Sequence, residues 1–248
     1  MLDPRVAILA LALACCGQGA NAAEDEGSCP RPGELDAAYC DLNGDFVADR
    51  PADQDLWRDP PTLVWAYAPI EDPAVYAELF KPFTRHLATC LDRQIVYYPV
   101  ESSSAEVKAM RSGRLHFAGF STGSTVTAVN QAGAVPFAAK AIGEEMRSYR
   151  LVALVKADSS FQSLADLAGK LVAHASPTSN SGNLAPRALF PDEGLVPGVD
   201  YDPVMTGGHD RSILGLLSGD YDMAAVASDV LERMQERGLV APDEVRIL

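Results

Sequence analysis

Positive charge is scarce in this chain: 20 Lys and Arg stand against 34 Asp and Glu, a net charge of −14. The basic residues form no cluster, so the electrostatic footprint of a nucleic-acid binder is missing and nucleic acid is excluded as the main partner. Long apolar runs are nearly absent too. The one that exists, Val6 to Cys16, is eleven residues long. That is too short to span a bilayer but suits the core of a signal peptide. Cysteine is sparse, five in 248 residues, with no Cys-x-x-Cys pair and no spaced His/Cys set, so a zinc site has no support. What is abundant is ordinary globular material. Hydrophobic residues are 48% and charged residues 22%, which excludes a disordered, collagen-like or coiled-coil chain and leaves one or two domains as the expectation.

The apolar run is followed by Ala20-Asn21-Ala22, a small-x-small site. This predicts a signal peptide over 1–22, cleavage before Ala23 and export to the periplasm. Lipid attachment at Cys15 or Cys16 is the alternative, and neither has a Leu-small-small-Cys context. Export means an oxidising compartment. Cys29 and Cys40 bracket a short polar stretch and are expected to form a disulfide. Cys90 is left alone in the amphipathic segment Phe83 to Leu91 and reads as a small buried hydrophobe.

Residues 23–60 form an acidic lead-in with eleven Asp and Glu against three Arg. Within it Asp41, Asn43, Asp45 and Asp49 have the 1, 3, 5, 9 spacing of a calcium loop, but Gly44 is at position 4 rather than 6 and no Glu is at position 12. The preferred reading is a solvated acidic segment with Asx turns, with calcium as the alternative.

From Thr62 the pattern alternates strand, loop and helix. Thr62 to Tyr67, Gln94 to Val100 and Leu115 to Phe120 read as strands, with helices Ala74 to Leu91 and Ala105 to Arg111 between them. Further strands are expected at Arg150 to Val155, Lys170 to Ala175 and Met223 to Ala227, with helices at Ser163 to Leu167, Leu184 to Phe190 and Ile213 to Leu217. A weak repeat of the unit, about a hundred residues on, points to two similar α/β lobes. Each would be a mainly parallel sheet flanked by helices, with a ligand cleft between them. The expected division is lobe I over 61–140, a hinge over 141–149, lobe II over 150–240, and the start of a return to lobe I over 241–248.

Ligands of open α/β sheets sit beyond the carboxyl ends of the strands. The loops there, residues 67–69, 101–103, 121–125, 176–183 and 207–209 with Ser228, are rich in hydroxyls, Asn and Gly and nearly free of Lys and Arg. Residues 176–183 lead from a strand into a helix, so their N–H groups and hydroxyls make a ready anion site. His174 adjoins that loop and could support it, whereas His86 and His116 read as packing or surface residues.

Three stretches carry a resemblance: Ala109 to Gly123 (AMRSGRLHFAGFSTG), Leu164 to Lys170 (LADLAGK) and Ser176 to Gly182 (SPTSNSG). Together they resemble the periplasmic phosphate/phosphite/phosphonate-binding proteins of ABC transporters. The resemblance implies a two-lobe binding protein, not an enzyme, that closes on a small tetrahedral oxyanion and delivers it to a membrane permease. It implies a monomer without a cofactor. It places Ser179, Asn180 and Ser181 of the second-lobe loop on the oxyanion, adds His209, and assigns Tyr67, Ser121 and Thr122 as first-lobe contacts. The family pattern continues past Val245 to Leu248 into a return segment that this sequence does not contain. Two other readings stay open. One is a ligand-sensing subunit for a histidine kinase. The other is a serine hydrolase, with Ser121 in Gly119-Phe120-Ser121-Thr122-Gly123 followed by Asp200 or Asp202 and His209.

Overall fold

The computed structural model describes residues 29–31 and 33–248. The expected signal peptide and the lipidation alternative therefore lie outside the described residues.

The first sheet is built from β1 (Thr62–Tyr67), β2 (Gln94–Tyr97) and β3 (Phe117–Gly119), all parallel in the order β2-β1-β3. Its connections are helices α1 (Ala74–Leu79), α2 (Lys81–Leu91) and α3 (Ser103–Arg111), and β3 leads into α4 (Thr122–Ala132). Local chemistry sets their limits. The Ser102 hydroxyl accepts from Ala105 N–H and opens α3. Ser121 and Ser124 form a capping box that opens α4, and Gly133 at φ +61° ends it.

One long helix was expected over 74–91, but it divides at Phe80. Pro82 has no N–H to give to the carbonyl of Glu78, so the ladder breaks there and restarts with Pro82 in the first turn of α2. The core of this lobe is aromatic. Trp65 is nearly buried among the rings of Phe80, Phe83, Tyr97 and Phe117, and its Nε1–H donates to Thr84 at 3.1 Å.

Residues 29–50 lie against this lobe. The Cys29–Cys40 disulfide is present, Asp36 N–H donates to the Asn130 carbonyl, and the Asp36 carboxylate pairs with Arg111 at 2.8 Å. Asp41 is buried, and its carboxylate accepts from the N–H groups of Gly44, Asp45 and Phe46. Asn43 and Asp45 accept from the N–H two residues on, and Asp49 from Leu42. These oxygens are committed to Asx turns. Among the described residues no group of three or more His, Cys, Asp and Glu could hold a metal ion.

Cys90 corrects the sequence reading: it is exposed. Helix α2 turns Thr84, Leu87 and Ala88 toward the sheet, and a residue six places after Thr84 falls on the other side.

A short hairpin, β4 (Ala141–Ile142) and β5 (Glu145–Met146), follows, turning at Gly143 with φ +62°. The second sheet has five strands in the order β10-β6-β9-β7-β8. They are β6 (Leu151–Lys156), β7 (Leu171–His174), β8 (Asp202–Met205), β9 (Met223–Ala227) and β10 (Val245–Ile247), with helices α5 (Ala185–Leu189), α6 (His209–Ser218) and α7 (Ser228–Glu236). β7 runs parallel to β8 and β9, whereas β6 is antiparallel to both β9 and β10.

All of β9 is buried, and an apolar cluster covers each of its faces. That explains why the strand reads as an unbroken apolar run. β10, expected to begin a return to the first lobe, lies on the edge of the second sheet instead, with Val245 opposite Lys156. Val245 is buried there in the cluster that holds Leu154 and Ile213. Among the described residues no helix is long and apolar enough to cross a membrane.

Candidate functional site

The site grows from the carboxyl end of β7. After His174 the chain turns through residues 176–179, makes a π-helical turn over Asn180–Leu184 and enters α5. The turn stands on a buried polar base. His174 Nδ1 lies 2.9 Å from Asn183 Oδ1, and its Nε2 lies 2.9 Å from the Tyr201 hydroxyl. Asn183 gives its amide N–H to the Pro177 carbonyl, so its oxygen faces His174 and also accepts from Arg187. That orientation puts the imidazole proton on Nδ1 and leaves Nε2 to accept from Tyr201. Burial lowers the His174 pKa from its ordinary value, favouring the neutral ring.

Ser179 begins the π-helical turn. Its Oγ accepts from Gly182 N–H at 3.0 Å and lies 3.1 Å from His209 Nε2. His209 is the first residue of α6, and its Nδ1 accepts from Ala227 N–H at 3.3 Å. Nδ1 is therefore the unprotonated nitrogen, and Nε2–H donates to Ser179. Burial brings the His209 pKa down to about 4; Asp229 opposes the shift and Arg233 adds to it. With both acceptor positions of Ser179 filled, its own O–H remains available to donate. Gly182 is required here, because a Cβ would stand 2.5 Å from Ala175 Cβ and 2.8 Å from Ser179 Oγ.

The first turn of α4 faces this loop from the other lobe. A Cβ on Gly123 would collide with the Thr178 carbonyl and stand 2.8 Å from Leu184 Cδ1. Between the two elements lies a concavity of about 380 Å³, lined by Thr122, Asn180 and Ser181 together with Arg147, Ser148 and Tyr149. The Tyr149 hydroxyl donates to Thr122 Oγ1 at 3.2 Å.

The expected site residues thus fall into three groups. Thr122, Asn180 and Ser181 line one concavity, while Ser179 and His209 are joined to each other and nearly buried. Ser121 and Tyr67 are elsewhere engaged. Ser121 shares its hydroxyl with Ser124 at 2.8 Å in the cap of α4. Tyr67 packs its ring on Tyr76 and Phe80 and meets Lys140 Nζ at 2.5 Å. The hydrolase geometry is not formed. Ser121 is paired with Ser124, His209 is turned to Ser179 and Ala227, and the Asp200 carboxylate accepts from Val196 N–H.

The sequence reading missed Arg147, Ser148 and Tyr149, which bring a cation to loops expected to lack one. They lie within the segment 141–149 named as the hinge, and a segment that crosses between lobes lines the cleft by its position. That was the signal.

Comparison with known proteins bears on the same residues. Residues 65–248 match the family model of the phosphonate periplasmic substrate-binding protein of ABC transporters. A phosphate-import protein from Mycolicibacterium smegmatis is 27% identical over 210 residues, covering 80% of this chain and 65% of that protein. The binding-protein component of an ABC phosphonate transporter from Pseudomonas aeruginosa superposes with a TM-score of 0.68 at 18% identity, covering 76% of this chain and 64% of that one. A Prochlorococcus marinus protein solved with methylphosphonate gives 0.67 at 23% identity, covering 77% and 72%. The chain spans slightly under two thirds of the length of the first two. The two solved structures show the two-lobe fold alone.

Proposed function

The chain belongs to the family of periplasmic substrate-binding proteins of phosphonate ABC transporters, whose members are binding proteins and not enzymes, and from that premise we propose that it captures a small tetrahedral oxyanion between its lobes. The ligand class is phosphate, phosphite or a simple phosphonate, and the recipient is an ABC permease in the membrane. The methylphosphonate held by the Prochlorococcus protein and the phosphate named for the Mycolicibacterium relative mark the ends of that range. No observation favours the histidine-kinase sensor or the hydrolase.

The observation that carries the proposal is the Ser179 hydroxyl. Two donors, Gly182 N–H and His209 Nε2–H, fill its lone pairs and leave its proton for a further acceptor. Asn180 and Ser181 follow it in the chain and line the concavity with Thr122. On this reading a chain of net charge −14 holds an anion through local donors. Donors at contact distance act within a few ångströms, whereas distant carboxylates are screened beyond about 8–10 Å at physiological salt. Arg147 adds one positive charge at the rim. Because His209 is neutral above about pH 4, the protein side of the contact does not change between pH 5.5 and 8.

Calorimetry with inorganic phosphate, phosphite and methylphosphonate tests the proposal. A charge-assisted hydrogen bond is worth about 1.5–3 kcal/mol. Ser179→Ala and Ser181→Ala should therefore each weaken the bound oxyanion about tenfold or more. Ser159→Ala, remote from the concavity, should bind as the parent does. An oxyanion held at parental affinity by both site variants would remove the site assignment.

A further inference from the structure

The link between β1 and α1 makes contacts that neither the fold of its own lobe nor the oxyanion pocket requires. After Tyr67 the chain leaves the first sheet and runs through Ile70 and Glu71 before α1 begins. Ile70 packs against the larger apolar cluster of the second lobe. Its carbonyl accepts from the N–H of His209, the first N–H of α6, at 3.3 Å. A carbonyl at that position meets the positive end of a helix.

Glu71 follows at once and is held by α7. Its Oε1 accepts from Arg233 Nε at 3.0 Å and lies 2.8 Å from Arg233 Nη2, while Oε2 lies 3.6 Å from Arg237. Asp229, one helical turn before Arg233, holds the same guanidinium at 2.8 Å. The Glu71 side chain is only 7% exposed, although it sits on a connecting loop of the first lobe. Arg233 and Arg237 of the second lobe lie against it.

The nearly buried Glu71 carboxylate depends on this guanidinium for its close counter-charge, and removing either partner weakens the charge balance of the other. The link beside the contact reaches the candidate site at one point: the α6 residue that meets Ile70 is His209, the donor to Ser179.

We infer that Glu71 and Arg233 form an interlobe clasp: the ion pair closes only when the lobes close, so it holds the bound oxyanion in place without touching it. Glu71 is then a positioning residue. Its contribution appears as slower ligand release, because separating the lobes must break the pair as well as expose the ligand. The inference rests on the oxyanion-binding reading above.

The test uses the full chain, with inorganic phosphate, phosphite and methylphosphonate as probes. Glu71→Gln should weaken the tightest of them about tenfold, the scale of losing a largely covered ion pair. The loss should lie in the dissociation rate, with association nearly unchanged. The double variant Glu71→Gln with Arg233→Gln should bind no more weakly than either single variant, since the two act through one contact. Melting provides a readout that a purely structural role would not move: the rise in Tm produced by ligand should shrink in Glu71→Gln. If that variant does not fold, Arg233→Lys takes its place, keeping the charge but losing the Nε donor, and should release ligand about threefold faster. Affinity within twofold of the parent, or an equal fall in Tm with and without ligand, overturns the clasp alone. A parent that binds none of the three oxyanions overturns both the clasp and the reading beneath it.

Discussion

The two lobes share a strand–helix pattern but bury it to different depths. In the second lobe, β9 is fully buried and packed on both faces, with Leu154, Ile213, Leu216 and Val230 on one side and Val155, Leu167, Val172 and Leu195 on the other. In the first, the sheet has three strands and α2 buries no residue fully. An aromatic cluster around Trp65 and a small group of Ala66, Val100 and Leu115 do the packing. The polar groups at the site follow the same division. Ser179, Ser181 and His209 stand on the deeply packed lobe, whereas the first lobe offers Thr122 at a helix start. Donors held on a deeply packed half, facing a more lightly packed half, are the arrangement that the proposed capture between lobes calls for.

Core truncation should show the largest contrast. Leu216→Ala on α6 removes a fully buried side chain from the second lobe and should cost about 2–5 kcal/mol in urea unfolding. Leu63→Ala, on a half-buried position of β1, should cost no more than about half of that. Equal costs would break the comparison.

Next in size is an opposite response to pH. Glu106 on α3 is fully buried with neither carboxylate oxygen partnered, and burial pushes its pKa up to about 8. The unfolded chain loses this proton near the ordinary carboxylate value, so stability is full below about pH 4.5 and falls as pH rises toward 8. His209 behaves in reverse. Its folded pKa of about 4 lies below the unfolded value, so stability is full above about pH 6.5 and falls as pH drops toward 4. Glu106→Gln should abolish the alkaline loss, on the order of a few kcal/mol at pH 8. His209→Asn should flatten the acid side while lowering stability throughout. Urea midpoints at pH 4.5, 6 and 8 decide it; slopes unchanged in both variants would refute the assignment.

How far the sequence foretold this follows the same physics. Strands such as Thr62–Tyr67 and Met223–Ala227 were legible because a buried strand needs a dense β-branched, aromatic or small apolar run, whatever surrounds it. The loop over residues 176–183 stood out in the sequence because hydroxyl and amide side chains with a glycine gather there between a strand and a helix. Helix α7 was not anticipated, since the chain after Ser228 is charged and its apolar stripe of Val230, Leu231 and Met234 is short. The break at Phe80 lay in the letters, in Pro82, but the helical periodicity across it hid the signal. Pairings are harder still. That Val245 joins the edge beside Lys156, or that Glu71 reaches Arg233 across 162 positions, depends on how the lobes are arranged, and no local pattern encodes that. Arg147 was missed for a similar reason: a crossing segment acquires a role only when the cleft exists around it.

The smallest effect tests the outer face of the lighter lobe. Cys90 was expected in the core, where a thiol resists modification and its replacement leaves a mismatch. It is exposed on α2 instead, its Sγ 3.5 Å from His86 Nε2 and far from the turn of helix that meets Trp65 through Thr84. A surface substitution of this kind changes stability by no more than about 0.5 kcal/mol. Cys90→Ser should therefore melt with the parent. The parent should show one more thiol than the variant toward a disulfide reagent in its native state, reacting about as fast as after unfolding. If that thiol were protected a hundredfold or more in the folded protein, the outer face of α2 would be covered in solution. The first lobe would then bury more than its three strands and aromatic cluster imply, and the contrast between the lobes would have to be drawn again with that face counted as interior.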